Sequence, residues 1–289
     1  MKILIIGNGF IGSSIIHRLE SDGHEILCFS RRHNLEITSQ QIIGDIFNFD
    51  EFIKTLDWKP QVIIHTAWIT SHNIYAHDIS NYMYAEFTSN LARVLPQKSV
   101  EHLVVLGTCA EYGYQTSVST AGITQLHPNS VYSEQKVVAF NSALNSLFGT
   151  SVRLTWARIF QPYGLNQDKA RLIPYLIHSI RSGSRVELRD TNSVLDWVTT
   201  RDIASAISWI LNHDTPTEVD IGTSFGYTNL QLLQNLEALL GNSNQWARIK
   251  VQSKAGKSVT QVGKDSPLFV SGWIPNDDID SGLRWVLEK

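Results

Sequence analysis

"KILIIGNGFIG", residues 2–12, joins an unbroken apolar run to a turn with three glycines, and a second apolar pattern opens at its end. A run such as Lys2–Gly7, without polar alternation, marks a strand buried on both faces. Beyond it Ile11, Ile15, Ile16 and Leu19 recur at helical spacing, and Gly23 offers a stop. Gly7-Asn8-Gly9-Phe10-Ile11-Gly12 thus lies between a strand and a helix, the setting in which Gly-x-Gly-x-x-Gly carries meaning. Gly7 permits a tight turn, Gly9 lets backbone approach a pyrophosphate, and Gly12 lets the helix pack on the strand. The free N–H groups of the helix start then face phosphate. A bare strand-to-helix turn uses the same glycines, so the loop needs support from the rest of the chain.

Working outward, "HEILCFS" (24–30), "QQIIGD" (40–45), "QVIIHTA" (61–67), "EHLVVLGT" (101–108) and "SVRLTWARIF" (151–160) read as further strands. Helices are predicted over 50–56, 79–95 and 129–149, the last with Asn129 or Ser130 as cap and Gly149 as stop. This alternation predicts an α/β fold: a Rossmann-type, doubly wound parallel sheet covered on both faces. Past Phe160 the pattern loosens. Helices near 170–182, 200–212 and 228–240 are separated by short strands such as "RVELR" and "EVDIG", and "DDIDSGLRWVLEK" predicts a closing helix with Asp at its start. The expected organisation is a dinucleotide-binding domain over 1–160, with 196–222 returning to it. Segments 161–195 and 223–289 form a smaller substrate-binding region.

The 289 residues suffice for a large core, and 43% hydrophobic with 18% charged content excludes a disordered chain. A net charge of −3 without basic blocks argues against nucleic acid and anionic membranes as partners. No run approaches the ~18 apolar residues of a membrane span, and "ILIIG" is too short for a signal segment. Cys28 and Cys109, each beside a strand, are expected as reduced thiols in a cytoplasmic protein. No metal site is expected.

After the second strand comes Ser30-Arg31-Arg32. An acidic residue here suits a free ribose 2′-hydroxyl; two guanidiniums suit a 2′-phosphate. This favours NADPH, with NAD as the other possibility. Asp45, after the third strand, either accepts from an adenine amino group or caps the next turn. At the C-terminal edge of the sheet, where ligands of such folds bind, Thr108 ends one strand and Tyr132-x-x-x-Lys136 starts the following helix. A phenol with a pKa near 10 needs about 4 kcal/mol of phenolate stabilisation to act near neutrality. A cation one turn along the helix, together with a positive nicotinamide ring, supplies stabilisation of that kind.

Together these motifs resemble the extended short-chain dehydrogenase/reductase family of nucleotide-sugar epimerases, dehydratases and reductases. The markers are the glycine loop, "HTA" (65–67), Thr108 with "EYG" (111–113), Tyr132 with Lys136, "RIFQPYG" (158–164), "LIP" (172–174) and "DWVTTRDIA" (196–204). The resemblance covers nearly the whole chain. It implies Thr108, Tyr132 and Lys136 as catalytic residues: Thr108 holds the substrate oxygen, Tyr132 exchanges its proton, and Lys136 also holds the nicotinamide ribose. It extends the cofactor site from Gly7, Asn8, Gly9, Phe10, Ile11 and Gly12 through Ser30, Arg31, Arg32, Asp45 and Ile46 to Thr66, Ala67, Trp68 and Phe160. Substrate contacts are implied for Cys109, Ala110, Gln161, Arg171, Arg189 and Lys257. A homodimer through the two long helices is a further implication.

Dehydratases of the family follow the Thr with Asp-Glu; here Cys109 and Ala110 stand there. The added Cys and His of the reductase-epimerases are also missing, with Ala110 in the Cys place and His178 the nearest histidine. What remains is redox at a single carbon. The leading expectation is an NADPH-dependent reductase of a keto group on a nucleotide-linked sugar. Alternatives are an NAD-retaining C4 epimerase, a reductase of non-sugar ketones, and a dinucleotide sensor without turnover. Leu195 replaces the family's diphosphate-binding Arg, so compensation is sought from Arg185, Arg189 or Arg201. Trp68, Tyr75, Tyr82 and Tyr84 are expected to wall the pocket.

Overall fold

The computed structural model describes residues 1–188, 190–241, 250–251 and 258–288. In chain order the first half runs β1 (Lys2–Ile6), α1 (Phe10–Ser21), β2 (Glu25–Ser30), β3 (Gln40–Ile43), α2 (Phe49–Phe52), β4 (Val62–His65), α3 (Ser80–Val94), β5 (His102–Thr108), α4 (Val131–Leu147) and β6 (Arg153–Ile159). The second half adds β7 (Gln161–Tyr163), α5 (Leu172–Arg181), β8 (Glu187–Leu188), β9 (Val194–Thr199), α6 (Thr200–Asn212), β10 (Glu218–Ile221), β11 (Gly226–Thr228), α7 (Asn229–Leu239), β12 (Lys250–Val251), β13 (Thr260–Gln261), α8 (Pro267–Val270) and α9 (Ile279–Leu287).

Seven parallel strands form the main sheet in the order β10-β6-β5-β4-β1-β2-β3. This is a doubly wound α/β sheet of Rossmann type, as the sequence predicts. Strand order reverses at β1, between β2 and β4, so a crevice opens there beyond the carboxyl ends of the strands. β1 reads as an apolar run because helices cover both faces: Ile3, Leu4, Ile5 and Ile6 are all fully buried. On one face α1 and α6 contribute Ile15, Ile16, Ile203 and Ile207; on the other α3 and α4 contribute Phe87, Leu91, Ala139 and Ala143. Each large apolar side chain so buried contributes about 1.5–3 kcal/mol.

A second sheet, β11-β9-β13 with β7 pairing β9, lies C-terminal to it. Its core is Leu176, Leu232, Leu236 and Leu283, from α5, α7 and α9. Local signals placed most helix ends. Ser130 caps α4 by accepting from the Ser133 N–H, and Asp278 caps α9 by accepting from the Ser281 N–H. The helix expected over 50–56 is different. α2 is one short turn that tightens into a 3-10 segment over Ile53–Trp58, ending at Lys59 with φ +56°. Pro60 follows, and a proline disfavours helical backbone in the residue before it.

Candidate active site

The crevice floor is built by fit between backbone and glycine. Gly7 has φ +103°, and a Cβ on Gly12 would lie 2.3 Å from the Gly7 carbonyl and 2.8 Å from Thr66 Oγ1. The Thr66 hydroxyl donates to the Ile6 and Gly7 carbonyls at 2.9 and 3.0 Å, bracing the loop from β4. Gly9 is the opposite case: a Cβ there would meet nothing within 4 Å. Gly9 also caps α1 without any side-chain hydrogen bond, so the first-turn N–H groups stay free for an anion. An open backbone floor at a free helix start fits a pyrophosphate.

The Asn8 amide donates to the Arg32 carbonyl at 2.7 Å, and the Ser30 hydroxyl to the same oxygen at 2.8 Å. These bonds fix the chain beyond β2 while Arg31 and Arg32 remain exposed beside the crevice. Asp45 is exposed and accepts from the Phe47 N–H at 3.0 Å, so its turn-capping role is realised. Ile46 is buried in the core, so a ligand could reach only its backbone.

Thr108, at the end of β5, is set by a reciprocal pair: its N–H donates to Glu111 Oε1 at 2.8 Å, and its Oγ1 accepts from the Ala110 N–H at 3.3 Å. With that acceptor role filled, the hydroxyl proton is available to a second oxygen. Burial raises the Tyr132 phenol pKa, and the nearby Thr108 hydroxyl opposes the rise. Tyr132 packs edge-on to Tyr75 at 5.1 Å, and its N–H donates to the Ala76 carbonyl at 3.1 Å. Lys136 is buried with 4% exposure; desolvation lowers its pKa to about 7. Burial dominates at both groups, and the Lys136 ammonium lies against Trp68 and the Leu106 carbonyl.

Glu111 carries the strongest electrostatics nearby. Its carboxylate accepts from Arg158 Nε at 2.7 Å and from Trp156 Nε1 at 3.1 Å, with Glu111 and Arg158 both fully buried. Arg158 also pairs with Glu218 at 2.7 Å. The "EYG" and "RIF" motifs thus meet under Thr108, a link that no local pattern announces.

On the substrate side, Cys109 is buried, and burial raises its pKa far above the usual thiol range. Gln161 donates to Gln261 Oε1 at 2.8 Å and lies 3.7 Å from Cys109 Sγ. Sequence reasoning missed Gln261. Arg171 precedes α5, donates to the Thr70 carbonyl at 2.8 Å and sits 5.3 Å from the Tyr75 ring, near Tyr132. Among the described residues no group of three or more His, Cys, Asp or Glu side chains could hold a metal ion. Nor is any described helix long and apolar enough to cross a membrane.

Comparison with known proteins identifies this arrangement. Residues 3–222 match the model of the NAD dependent epimerase/dehydratase family. The chain belongs to that family. It is 24% identical over 274 residues to UDP-glucose 4-epimerase of Lactobacillus helveticus, covering 83% of this chain and 82% of that protein. Its fold is similar to UDP-glucose 4-epimerase of Thermus thermophilus in complex with NAD, with TM-score 0.87 and 20% identity, over 100% of this chain and 98% of the other. It is also similar to dTDP-glucose 4,6-dehydratase of Bacillus anthracis in complex with NAD, with TM-score 0.84 and 24% identity, covering 100% and 96%. The chain is thus an enzyme of a nucleotide-sugar epimerase/dehydratase family.

The surroundings of the remaining residues singled out in the sequence are as follows in space. Phe160 packs with Cys109 and Tyr112, so its ring lies against the turn after β5. Arg201 pairs with Asp277 and lies over Trp285. Arg189 and Lys257 lie outside the described residues. Tyr82 is exposed and Tyr84 is buried behind Trp68, leaving Trp68 and Tyr75 as the aromatic wall. His178 is exposed on α5. Asp196 accepts from Thr223, Ser224 and Gly263, so the "DWV" motif ties β9 to neighbouring loops.

Proposed function

We propose that this enzyme reduces a keto group on a nucleotide-linked sugar, using NADPH. The observation that carries the reading is the placing of Tyr132 and Lys136, one turn apart on α4, against the single Trp68 ring, with the Thr108 hydroxyl near enough to the Tyr132 phenol to oppose its rise in pKa. The nicotinamide, when bound, supplies the hydride. Thr108 holds the sugar's keto oxygen through its hydroxyl, and Tyr132 gives that oxygen a proton, which returns from solvent. Lys136, close by with its charge, favours the phenolate left behind. Glu111 keeps Thr108 in place through its N–H. Elimination of water would need an acid and a base after Thr108. Cys109 is held neutral by burial, Ala110 has no proton to give, and both Glu111 oxygens are engaged.

The exposed Arg31 and Arg32 favour a 2′-phosphate. Residues 1–160 with 196–222 hold the dinucleotide on this reading, and 161–195 with 223–289 hold the sugar nucleotide, at Cys109, Ala110, Gln161 and Arg171 among others. The protein acts in the cytoplasm. Exposed Ile79, Tyr82, Met83 and Val138 on or beside α3 and α4 support a homodimer through those helices.

A second reading, the C4 epimerase that retains NAD, is favoured by the similarity to UDP-glucose 4-epimerases. The purified protein separates the two. A reductase consumes NADPH with a 4-keto sugar nucleotide, and Arg31→Asp shifts its preference toward NADH. An epimerase carries NAD through purification and interconverts sugars with no net cofactor use. Loss of neither activity on Tyr132→Phe would remove both readings.

A further inference from the structure

Among the described residues no carboxylate touches the buried Lys136 ammonium. Its Nζ donates to the Leu106 carbonyl at 2.6 Å and stands 3.8 Å from the centroid of the Trp68 ring. The other ionisable groups around it do not take the counterion's place. His65, on β4, is neutral, because burial and the Lys136 charge lower its pKa to about 3. Glu111, in the turn after β5, favours the charge from a distance but is itself engaged by Arg158. Tyr132, on the same helix, is a neutral phenol with Tyr75 at its edge. The Leu106 carbonyl and the indole face therefore supply the negative potential at contact, and the attraction to the ring grows when the cation is desolvated.

The indole is also locked. Its Nε1 donates to Asn81 Oδ1 at 2.8 Å, and the Asn81 amide donates to the Tyr75 and Asp78 carbonyls, each at 2.8 Å. Tyr84 stacks on the ring at 5.3 Å and 24°, and His65 and Tyr132 pack at 6.5 Å from it. A ring held from two sides presents a fixed face, and a fixed face sets where the ammonium sits. An ammonium has three donors. Leu106 takes one and the ring faces another, leaving one for an oxygen brought into the crevice.

We propose that Trp68 is a positioning residue for Lys136, holding its ammonium charged and directed into the crevice beside Tyr132. The pairing itself stands on geometry; its consequence for turnover rests on the function proposed above.

The test labels the full-length protein with carbon-13 at the lysine ε-methylene and follows the Lys136 signal by NMR as pH varies, with Lys136→Met for assignment. In the natural sequence the signal lies upfield from ring current and titrates near neutrality. Trp68→Leu removes the ring: the upfield shift is lost and the ionisation constant rises about tenfold, one pH unit. The alkaline limb of kcat then moves to lower pH by the same amount. Trp68→Phe keeps a weaker face and moves the midpoint by about threefold. An unchanged midpoint in folded Trp68→Leu overturns the proposal, since a merely structural tryptophan would lower Tm alone. If Trp68→Leu does not fold, Trp68→Phe decides: an unchanged midpoint there overturns it equally. Failure of the natural protein to turn over any nucleotide sugar would sink the functional reading and leave the titration result standing.

Discussion

Arg158 Nε donates to Glu111 Oε2 at 2.7 Å with both side chains fully buried. Removing the Glu111 charge leaves Arg158 with Glu218 as its one remaining carboxylate and weakens the bonds from Trp156 and Thr108, at a cost of about 1–3 kcal/mol. Glu111→Gln is expected to lower the urea unfolding free energy by that order, and to reduce kcat because Thr108 loses a charged anchor. A change below about 1 kcal/mol would mean that Glu218 by itself balances the Arg158 charge.

The two glycines of the floor should respond in opposite ways. Gly9→Ala meets no atom within 4 Å and its φ of −72° suits alanine, so Tm is expected to hold. The new methyl occupies the phosphate approach, so cofactor Kd should rise about tenfold or more. Gly12→Ala collides with the Gly7 carbonyl and should lower both Tm and cofactor affinity. Thermal melts and cofactor titrations of the pair check this.

Stability should depend on pH through buried histidines. Burial lowers His102 to about 3, reinforced by Arg153, and lowers His65 to about 3 as well. The unfolded chain, with His near 6.5, binds more protons across that window, so stability rises with pH from about 3 to 6.5 and is lost as pH falls. Asp220 runs the other way. Burial raises it to about 7, so its contribution is complete below about pH 4 and fades as pH rises toward 7. Between about pH 5 and 6, His102→Gln should reduce the slope of unfolding free energy by about 1.4 kcal/mol per pH unit. Asp220→Asn should increase it by a similar amount, and urea titrations at several pH values would read both.

The parts of this molecule legible in sequence were those encoded within one turn or one strand. Gly7–Gly12 marked the floor, Ser130 the start of α4, and Tyr132 with Lys136 one face of that helix, because each depends on neighbours a few residues away. Glu111 and Arg158 are 47 residues apart, and Gln161 and Gln261 are 100 apart. Spacing rules carry no register between such segments, so the first pair appears only when β5 and β6 are set side by side, and the second only when β7 and β13 both pair with β9. Trp68 was visible as an aromatic near "HTA", yet its contact with Lys136 depends on Asn81 turning the indole. The strands of the second sheet, two to six residues long, are too short for a period to show.

The central claim is that Tyr132 exchanges a proton with the sugar oxygen while hydride passes to the same carbon. It is tested most directly by following transfer of deuterium from C4-deuterated NADPH to a 4-keto sugar nucleotide, with natural protein and Tyr132→Phe in parallel. The account predicts deuterium at C4 of the sugar, and a rate loss of about 100-fold or more in Tyr132→Phe with cofactor binding intact. Equal transfer rates in the two proteins, with both folded and saturated, would contradict it.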